Sequence, residues 1–274
     1  MNRVMRIGNK KFHIGSRTYV MGILNLTPDS FSDGGNWMEK DRALYRVQDM
    51  ITEGVDLLDI GGESTRPGYK MISIGEEIDR ITPVIESVKQ RFDIPVSLDT
   101  YKSGVALAGI QAGADMINDI WGLQYDPDMA GVIAASGLPC CLMHNRKVAV
   151  YRDFLKDVAE DLKAILRRAY EAGIHKDRII LDPGIGFAKD FEQNLEMLRH
   201  PEVMKDLDMP MLLGCSRKSV IGNALELPVE DRLEGTLAIT VMAVEMGYSF
   251  VRVHDIKENV RAIRMTEKIL GRVD

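Results

Sequence analysis

The chain has 274 residues, of which 45% are hydrophobic and 28% are charged, proportions that are typical of a folded globular protein. Its formal net charge of −6 disfavours a nucleic-acid-binding protein, because phosphate recognition needs an excess of basic residues. No apolar run approaches the roughly 20 residues of a membrane span, and the first residues lack the apolar core of a secretory signal. We therefore expect a cytoplasmic protein with no nucleic-acid and no membrane partner.

Three cysteines, Cys140, Cys141 and Cys215, lie in apolar surroundings. Adjacent residues of a strand point to opposite faces, so Cys140 and Cys141 are expected on the two sides of one buried strand. Buried thiols in odd number are typical of a reducing compartment, and no Cys/His spacing typical of a metal site is found in the sequence.

In chain order, residues 3–14 predict a small hairpin with Gly8 and Asn9 as its two-residue turn. After the hairpin, short apolar runs in the sequence predict eight buried strands. These strands are expected near residues 20–25, 55–60, 94–98, 114–119, 138–143, 179–182, 210–214 and 249–253.

Helical patterns separate the predicted strands. The clearest covers residues 152–172, with one apolar face and Gly173 as a stop. A second covers 229–246, with Pro228 near its start. A third, 76–92, contains Pro83 and is expected to be kinked or split there.

Eight strand–helix alternations in about 250 residues predict a (β/α)8 barrel of one domain, residues 1–274, preceded by the N-terminal β-hairpin. The alternative is an open, doubly wound sheet. The barrel is favoured because polar residues follow nearly every predicted strand, whereas an open sheet gathers its ligand groups at one switch point.

Those polar strand ends would meet at one mouth of a barrel, where enzymes of this fold carry their active sites. One set of these residues carries hydrogen-bond acceptors or groups that both donate and accept, which suit a flat heterocycle with N–H and NH₂ donors. This set is Asp99, Asn118 and Asp182. Cationic or donor groups suit a phosphate or diphosphate; they are Arg66, Lys218, Arg252 and His254. Ile120, Met143 and Phe187 are expected to form apolar walls of the mouth, and Gly214 would let the backbone approach a ligand closely.

Each of these residues has a simpler interpretation. Asp99 and Ser219 could cap the following helices, Asp182 could start a turn before Pro183, and Asn118 could satisfy strand-end backbone groups. Lys218 and Arg66 could be solvated surface charges. His144 is interpreted as structural rather than catalytic. The chain contains no Gly-x₄-Gly-Lys-Ser/Thr phosphate loop and no dinucleotide fingerprint.

Several longer motifs resemble those of the dihydropteroate synthase family of folate biosynthesis. They are GILNLTPDSFSDGG at 22–35, DIGGESTRPG at 59–68, SLDT at 97–100, IND at 117–119, LDPGIGF at 181–187, SRKS at 216–219 and RVHD at 252–255. They span nearly the whole chain in the family's order. One departure follows the fifth strand, where many members carry Gly-x-Pro and this chain reads HNRKVAV at 144–150.

The resemblance implies a barrel enzyme that joins (7,8-dihydropterin-6-yl)methyl diphosphate to 4-aminobenzoate, releasing 7,8-dihydropteroate and diphosphate. It implies Mg²⁺, inhibition by sulfonamides that compete with the aminobenzoate, and a homodimer. The residues matching the family's pterin-ring site are Asp99, Asn118, Asp182 and Lys218. Those matching the diphosphate site are Asn25, Thr65, Arg66, Arg252 and His254, with Asn25 as the metal ligand. Those matching the aminobenzoate subsite are Phe31, Thr65, Pro67, Lys218 and Ser219.

The chemistry expected from this resemblance is dissociative, with positive charge developing on the pterin methylene as diphosphate leaves. The loops at residues 27–36 and 64–71 are expected to exclude water. The groups closest to the reaction are then Lys218, Arg252, His254, Asp33 and Phe31. Two alternatives remain, a pterin-dependent methyltransferase-type barrel and a non-catalytic pterin-binding relative.

Overall fold

Eight parallel strands form the centre of the computed structural model, which describes residues 3–26, 36–63 and 71–272. The strands are β3 (Tyr19–Asn25), β4 (Leu57–Gly61), β5 (Val96–Asp99), β6 (Met116–Asp119), β7 (Cys140–Met143), β8 (Ile179–Asp182), β9 (Leu212–Leu213) and β10 (Phe250–Val253). Their spatial order is β8-β7-β6-β5-β4-β3-β10-β9. A parallel bridge between Leu181 and Met211 joins β8 to β9 and closes the ring. The predicted (β/α)8 barrel is therefore confirmed, and the open sheet is wrong.

Helices surround the strands and follow them in turn. They are α1 (Asn36–Glu53), α2 (Ile74–Arg91), α3 (Ser103–Gln111), α4 (Met129–Ser136), α5 (Phe154–Glu171), α6 (Phe191–Arg199), α7 (Glu202–Lys205), α8 (Ser219–Leu225), α9 (Leu233–Met246) and α10 (Ile256–Ile269). The helix predicted at 152–172 is confirmed as α5.

Two helix predictions need correction. The α2 helix is not split at Pro83, since it runs unbroken from Ile74 to Arg91 after the N-cap Ser73, whose side chain accepts a hydrogen bond from the Glu76 N–H. Proline lacks the N–H of one helical hydrogen bond, and that loss does not divide the helix here; a kink at Pro83 stays a prediction. The helix expected from Val229 begins only at Leu233, because residues 229–231 form a separate 3₁₀ turn. Arg232 lies between the two segments, and its side-chain Nε donates to the Leu227 carbonyl before the turn at 3.1 Å.

The hairpin closes one end of the barrel. Strands β1 (Arg3–Ile7) and β2 (Lys10–Ile14) pair in antiparallel register, and Gly8 takes the left-handed conformation of the turn, with φ 59°. The Phe12 ring lies 4.8 Å from the Tyr19 ring and 5.7 Å from the Phe250 ring, centroid to centroid. Tyr19 and Phe250 begin their strands, so the hairpin covers the end opposite the polar mouth.

Side chains on the two faces of β7 pack in two different parts of the core. Cys140 packs in the outer core between strands and helices, and Cys141 packs inside the barrel with Phe12 and Phe250. The opposite orientation of the two side chains is as the alternation along a strand predicts. All three cysteines are buried free thiols. Among the described helices, none is long and apolar enough to cross a bilayer.

Phe12→Ala is expected to lower the free energy of unfolding by about 3–5 kcal/mol, because it removes a buried ring from the barrel floor. Chemical denaturation checks this value. Val4→Ala, on the exposed face of the same hairpin, is the matched control and should change it by less than about 0.5 kcal/mol. Equal effects of the two changes would mean that the hairpin does not plug the barrel.

Candidate active site

An arginine joins two buried carboxylates at the centre of the mouth. The Arg252 Nε lies 2.5 Å from Asp59 Oδ2, and its Nη2 lies 2.6 Å from Asp99 Oδ2. Asn118 donates from Nδ2 to the same Asp59 oxygen at 3.1 Å. These side chains come from the carboxyl ends of β10, β4, β5 and β6, so four strands meet in one polar cluster, as the sequence predicts for Asp99, Asn118 and Arg252.

This cluster leaves hydrogen-bonding capacity open. Asp59 Oδ1 and Asp99 Oδ1 are buried, and neither has a hydrogen-bond partner among the described residues. Burial raises the pKa of Asp99, while Arg252 opposes that shift. Burial alone would lower the pKa of Arg252, but Asp59 and Asp99 outweigh it and raise that pKa. A ligand with N–H groups would satisfy the open carboxylate oxygens.

A second acid–base pair lies beside the first cluster. A Cβ atom on Gly214 would lie 3.4 Å from Asp182 Oδ2 and 3.9 Å from Lys218 Nζ, so the glycine leaves open the space that these groups border. Burial raises the pKa of Asp182, and Lys218 opposes it. Burial lowers the pKa of Lys218, and Asp182 opposes it. Asp182 also accepts the Gly184 N–H on Oδ1 at 2.7 Å, so the predicted turn is present as well.

The loop after β8 wraps the Lys218 side chain. The Lys218 ammonium donates to the Ile185 carbonyl and lies 4.7 Å from the centre of the Phe187 ring, within the range of a cation–π contact. Gly184 has φ 71°, and a Cβ there would lie 2.0 Å from the His144 carbonyl oxygen. Only glycine fits this close crossing of two loops.

An apolar wall stands beside these charges. Tyr101, Ile120 and Met143 are buried together, and Trp121 and Phe187 pack against them while remaining partly exposed. The three predicted wall residues Ile120, Met143 and Phe187 therefore lie in one cluster.

The loops after β9 and β10 are fastened to each other. Ser216 Oγ lies 3.0 Å from His254 Nδ1 and accepts the His254 backbone N–H at 3.2 Å. Arg217 makes two hydrogen bonds to the Asp255 carboxylate, at 2.9 and 2.6 Å. Arg217 itself has φ 56°, a left-handed conformation that is uncommon for a residue with a side chain. Lys218 and His254 are thereby held on adjoining loops.

The helix-cap alternatives for two residues are not observed. The cap of α3 is Lys102 rather than Asp99. Ser219 is the exposed first residue of α8, after the cap residue Lys218. Asn25 ends β3 and is partly exposed. A Cβ on Gly61 would lie 3.8 Å from both Asn25 Oδ1 and Asp99 Oδ2, which places the predicted metal ligand at the rim of the carboxylate cluster.

His144 is a buried structural group. Its Nε2 lies 2.9 Å from Asp161 Oδ2 and its Nδ1 lies 2.9 Å from Lys189 Nζ. Burial lowers the pKa of His144 to about 4, Lys189 lowers it too, and Asp161 raises it. The ring is therefore neutral near pH 7, in accord with the structural interpretation.

Some predicted site residues lie outside the described residues; they are Phe31, Asp33, Thr65, Arg66 and Pro67. Other groups in the mouth were not assigned a role from the sequence. Asp59 ends the second predicted barrel strand, which was the available signal. Ser216 lies in the SRKS motif at 216–219, but its contact with His254 joins residues 38 positions apart and could not be predicted. Lys189 gave no signal, because its contact with His144 joins residues 45 positions apart.

The described geometry agrees with comparisons to known proteins. Residues 21–254 match the family described as pterin binding enzyme. A dihydropteroate synthase of Clostridium beijerinckii is 55% identical over 98% of this chain and 100% of its own. The chain belongs to the dihydropteroate synthase family. The family predicted from the motifs is confirmed, the chain is accordingly a transferase of folate synthesis, and the methyltransferase alternative is set aside.

Three solved dihydropteroate synthase structures support the family assignment. The enzyme of Clostridium difficile, crystallised with pteroic acid, is 49% identical, covers 94% of this chain and 98% of its own, and gives a TM-score of 0.92. The Xanthomonas albilineans enzyme with 4-aminobenzoic acid is 37% identical, with 99% coverage of both chains and a TM-score of 0.93. The Yersinia pestis enzyme with a sulfonamide drug is 41% identical, with 98% and 99% coverage and a TM-score of 0.90.

The burial of His144 predicts a pH effect on stability. Its folded pKa of about 4 lies below the ordinary value of about 6.5. Between these values the unfolded chain binds a proton that the folded chain does not, so stability falls as the pH drops from 6.5 to 4. The wild type is expected to lose up to about 3 kcal/mol in this way.

Denaturation at pH 7 and pH 4.5 checks this effect. The stability advantage of the wild type over His144→Asn should shrink at the lower pH. The exposed His13 provides the control, since His13→Asn should leave the pH dependence unchanged. An advantage of equal size at both pH values would contradict a buried neutral His144.

Proposed function

We propose that this chain makes 7,8-dihydropteroate from (7,8-dihydropterin-6-yl)methyl diphosphate and 4-aminobenzoate at the mouth formed by Asp99, Asn118, Asp182, Lys218 and Arg252. The observation that carries the proposal is the arrangement of three buried carboxylates, Asp59, Asp99 and Asp182, around one arginine and one lysine. Among the described residues, Asp59 Oδ1 and Asp99 Oδ1 have no hydrogen-bond partner. Such acceptors match the N–H and NH₂ edge of a reduced pterin.

Ring binding follows from this arrangement. Asp182 accepts from the amino-pyrimidine edge of the ring, and Asn118 and Asp99 reach further donors. Lys218 donates to a ring acceptor and exchanges part of its contact with Ile185 for the ligand. Ile120, Met143 and Phe187 enclose the faces of the ring. Charge-assisted hydrogen bonds in a water-poor site are stronger than neutral ones.

Bond breaking needs charge stabilisation rather than a protein nucleophile. The bond between the pterin methylene and the diphosphate oxygen breaks, and its electron pair leaves with the diphosphate. The carboxylates of Asp59, Asp99 and Asp182 stabilise the positive charge that develops on the pterin. The amine nitrogen of 4-aminobenzoate then supplies an electron pair to the methylene, and the proton that it loses passes to the released diphosphate.

The departing diphosphate is received by donors at the rim. Arg252 Nε and Nη2 hold the carboxylates, and within the described residues Nη1 makes no hydrogen bond. His254 lies on the loop beside it, and Ser216 orients its ring. We assign Arg252 and His254 to the diphosphate, together with Arg66 and Thr65, which lie outside the described residues.

The donor chemistry at the rim fits Mg²⁺. Asn25 offers a hard amide oxygen near Asp99, and the described residues contain no cluster of three His, Cys, Asp or Glu side chains that could bind a metal. Mg²⁺ is bound in proteins through few side chains, with phosphates and waters as the other ligands. Asn25 would hold it, and the ion when bound would neutralise charge on the diphosphate.

The aminobenzoate subsite is proposed at the outer rim, where Ser219 is exposed next to Lys218. Phe31, Thr65 and Pro67 would complete it, and Phe31 and Asp33 would act near the reacting centre. The support is the 4-aminobenzoic acid and the sulfonamide drug bound by the related enzymes. Sulfonamides are therefore expected to inhibit this chain.

Three further proposals accompany the activity. Residues 1–274 are proposed to form one domain, since strands from Tyr19 to Val253 share one barrel. Three buried free thiols support a reducing compartment, the cytoplasm. A homodimer is proposed from the family resemblance, and sedimentation of the purified chain would test it.

Asp182→Asn is expected to weaken pteroic acid binding by about tenfold to a hundredfold, because a charge-assisted hydrogen bond becomes a neutral one. Isothermal titration calorimetry checks this value. Asp208→Asn, a change at an exposed carboxylate that pairs with Lys176, should leave the affinity unchanged. Equal affinity of wild type and Asp182→Asn would remove Asp182 from the ring site.

The activity itself is tested by assaying diphosphate and dihydropteroate together. Dihydropteroate should form only when the pterin diphosphate, 4-aminobenzoate and Mg²⁺ are all present, and a chelator should abolish its formation. Diphosphate release without the amine would support the dissociative step. Binding of the pterin without any release would identify a non-catalytic pterin-binding relative.

A further inference from the structure

A second lysine, Lys189, lies in the loop after β8. The Lys189 ammonium lies 3.1 Å from the Gly184 carbonyl oxygen, 3.1 Å from the Phe187 carbonyl oxygen and 2.9 Å from His144 Nδ1. An ammonium has three N–H donors, and here each one meets an acceptor. The loop thus closes around the Lys189 ammonium.

His144, the third acceptor, is oriented by a carboxylate of α5. His144 Nδ1 can accept from Lys189 only when its proton sits on Nε2, and Nε2 lies 2.9 Å from Asp161 Oδ2 on α5. Arg146 Nε bonds the same carboxylate oxygen at 2.6 Å. A continuous line of hydrogen bonds therefore runs from α5 through His144 to the loop.

The loop held in this way carries groups of the candidate site. The Ile185 carbonyl accepts from the Lys218 ammonium, and the Phe187 ring lies next to it. Gly186 would place a Cβ only 3.2 Å from Lys218 Cδ. A shift of the Gly184–Phe187 turn would therefore move both the carbonyl and the aromatic ring that surround Lys218.

Charges around Lys189 are mixed, and they come from several elements. Burial lowers the pKa of Lys189 to about 7; Asp182 and Asp161 raise this pKa, and Lys218 and Arg146 lower it. Keeping a lysine here opposes stability, because burying a charge is unfavourable. The hydrogen-bond geometry nevertheless uses all three ammonium donors, which points to a role beyond packing.

We propose that Lys189, held by His144 and Asp161, is a positioning residue that fixes the turn of residues 184–187 and so places the Phe187 ring for pterin binding. It acts through these residues and does not touch the ligand. The inference rests on the proposed function, since it concerns the same pterin site. The residues that support the pterin site in this way come from the end of β7, from α5 and from the loop after β8.

A double-mutant cycle with pteroic acid as the probe tests the proposal. Lys189→Met should weaken pteroic acid binding about tenfold in the otherwise wild-type chain. In the Phe187→Ala background the same change should cost less than about threefold, because the ring that Lys189 positions is already gone. Lys156→Met, at an exposed lysine of α5, is the control and should have no effect in either background.

Asp161→Asn, at a partly exposed carboxylate, provides a second variant that is less prone to misfolding. It should weaken pteroic acid binding several-fold in the same Phe187-dependent manner. Equal losses in both backgrounds, or wild-type affinity for both variants, would overturn the proposal. If the wild type forms dihydropteroate but Lys189→Met and Asp161→Asn bind pteroic acid as tightly as the wild type, only this inference is overturned. A wild type that neither binds pteroic acid nor forms product would overturn the proposed function and this inference together.

Discussion

The structure depends on the ion pairs that Arg252 makes with Asp59 and Asp99. Two carboxylates this close cannot both remain charged in a buried site without a cation between them. Removing one partner of such a buried pair typically costs about 3–5 kcal/mol, because an uncompensated charge remains. The guanidinium suits this position, since its planar donors reach β4 and β5 from β10 at once. Among the described residues, Asp59 Oδ1 and Asp99 Oδ1 have no hydrogen-bond partner, which is costly for folding but useful for binding.

Around this centre the remaining groups are held by loop-to-loop contacts. Ser216 and Arg217 tie the loop after β9 to His254 and Asp255 after β10. On the other side, Gly184 allows the loop after β8 to cross His144 closely. The site is thus preorganised from both sides, and catalysis by charge stabilisation requires groups that do not need to move as the reaction proceeds.

Much of this arrangement could be predicted from the sequence. Apolar runs that end in polar residues revealed the barrel and most of its mouth, because parallel strands bring their carboxyl ends together. The contacts between those residues could not be predicted. Arg252 was expected to bind diphosphate, yet two of its nitrogens serve carboxylates that lie 193 and 153 positions away. Local patterns carry no information on such pairs. The late start of α9 was missed for a similar reason, since the Arg232 side chain, which precedes the helix, bonds the Arg217 carbonyl 15 positions away.

The most direct measurement is a crystal structure of the chain with pteroic acid. The account predicts that the amino-pyrimidine edge of the ring lies within hydrogen-bond distance of Asp182 and Asn118, with Lys218 and the Phe187 ring beside it. A ring bound elsewhere, or bound at the mouth without contact to Asp182, would contradict the account.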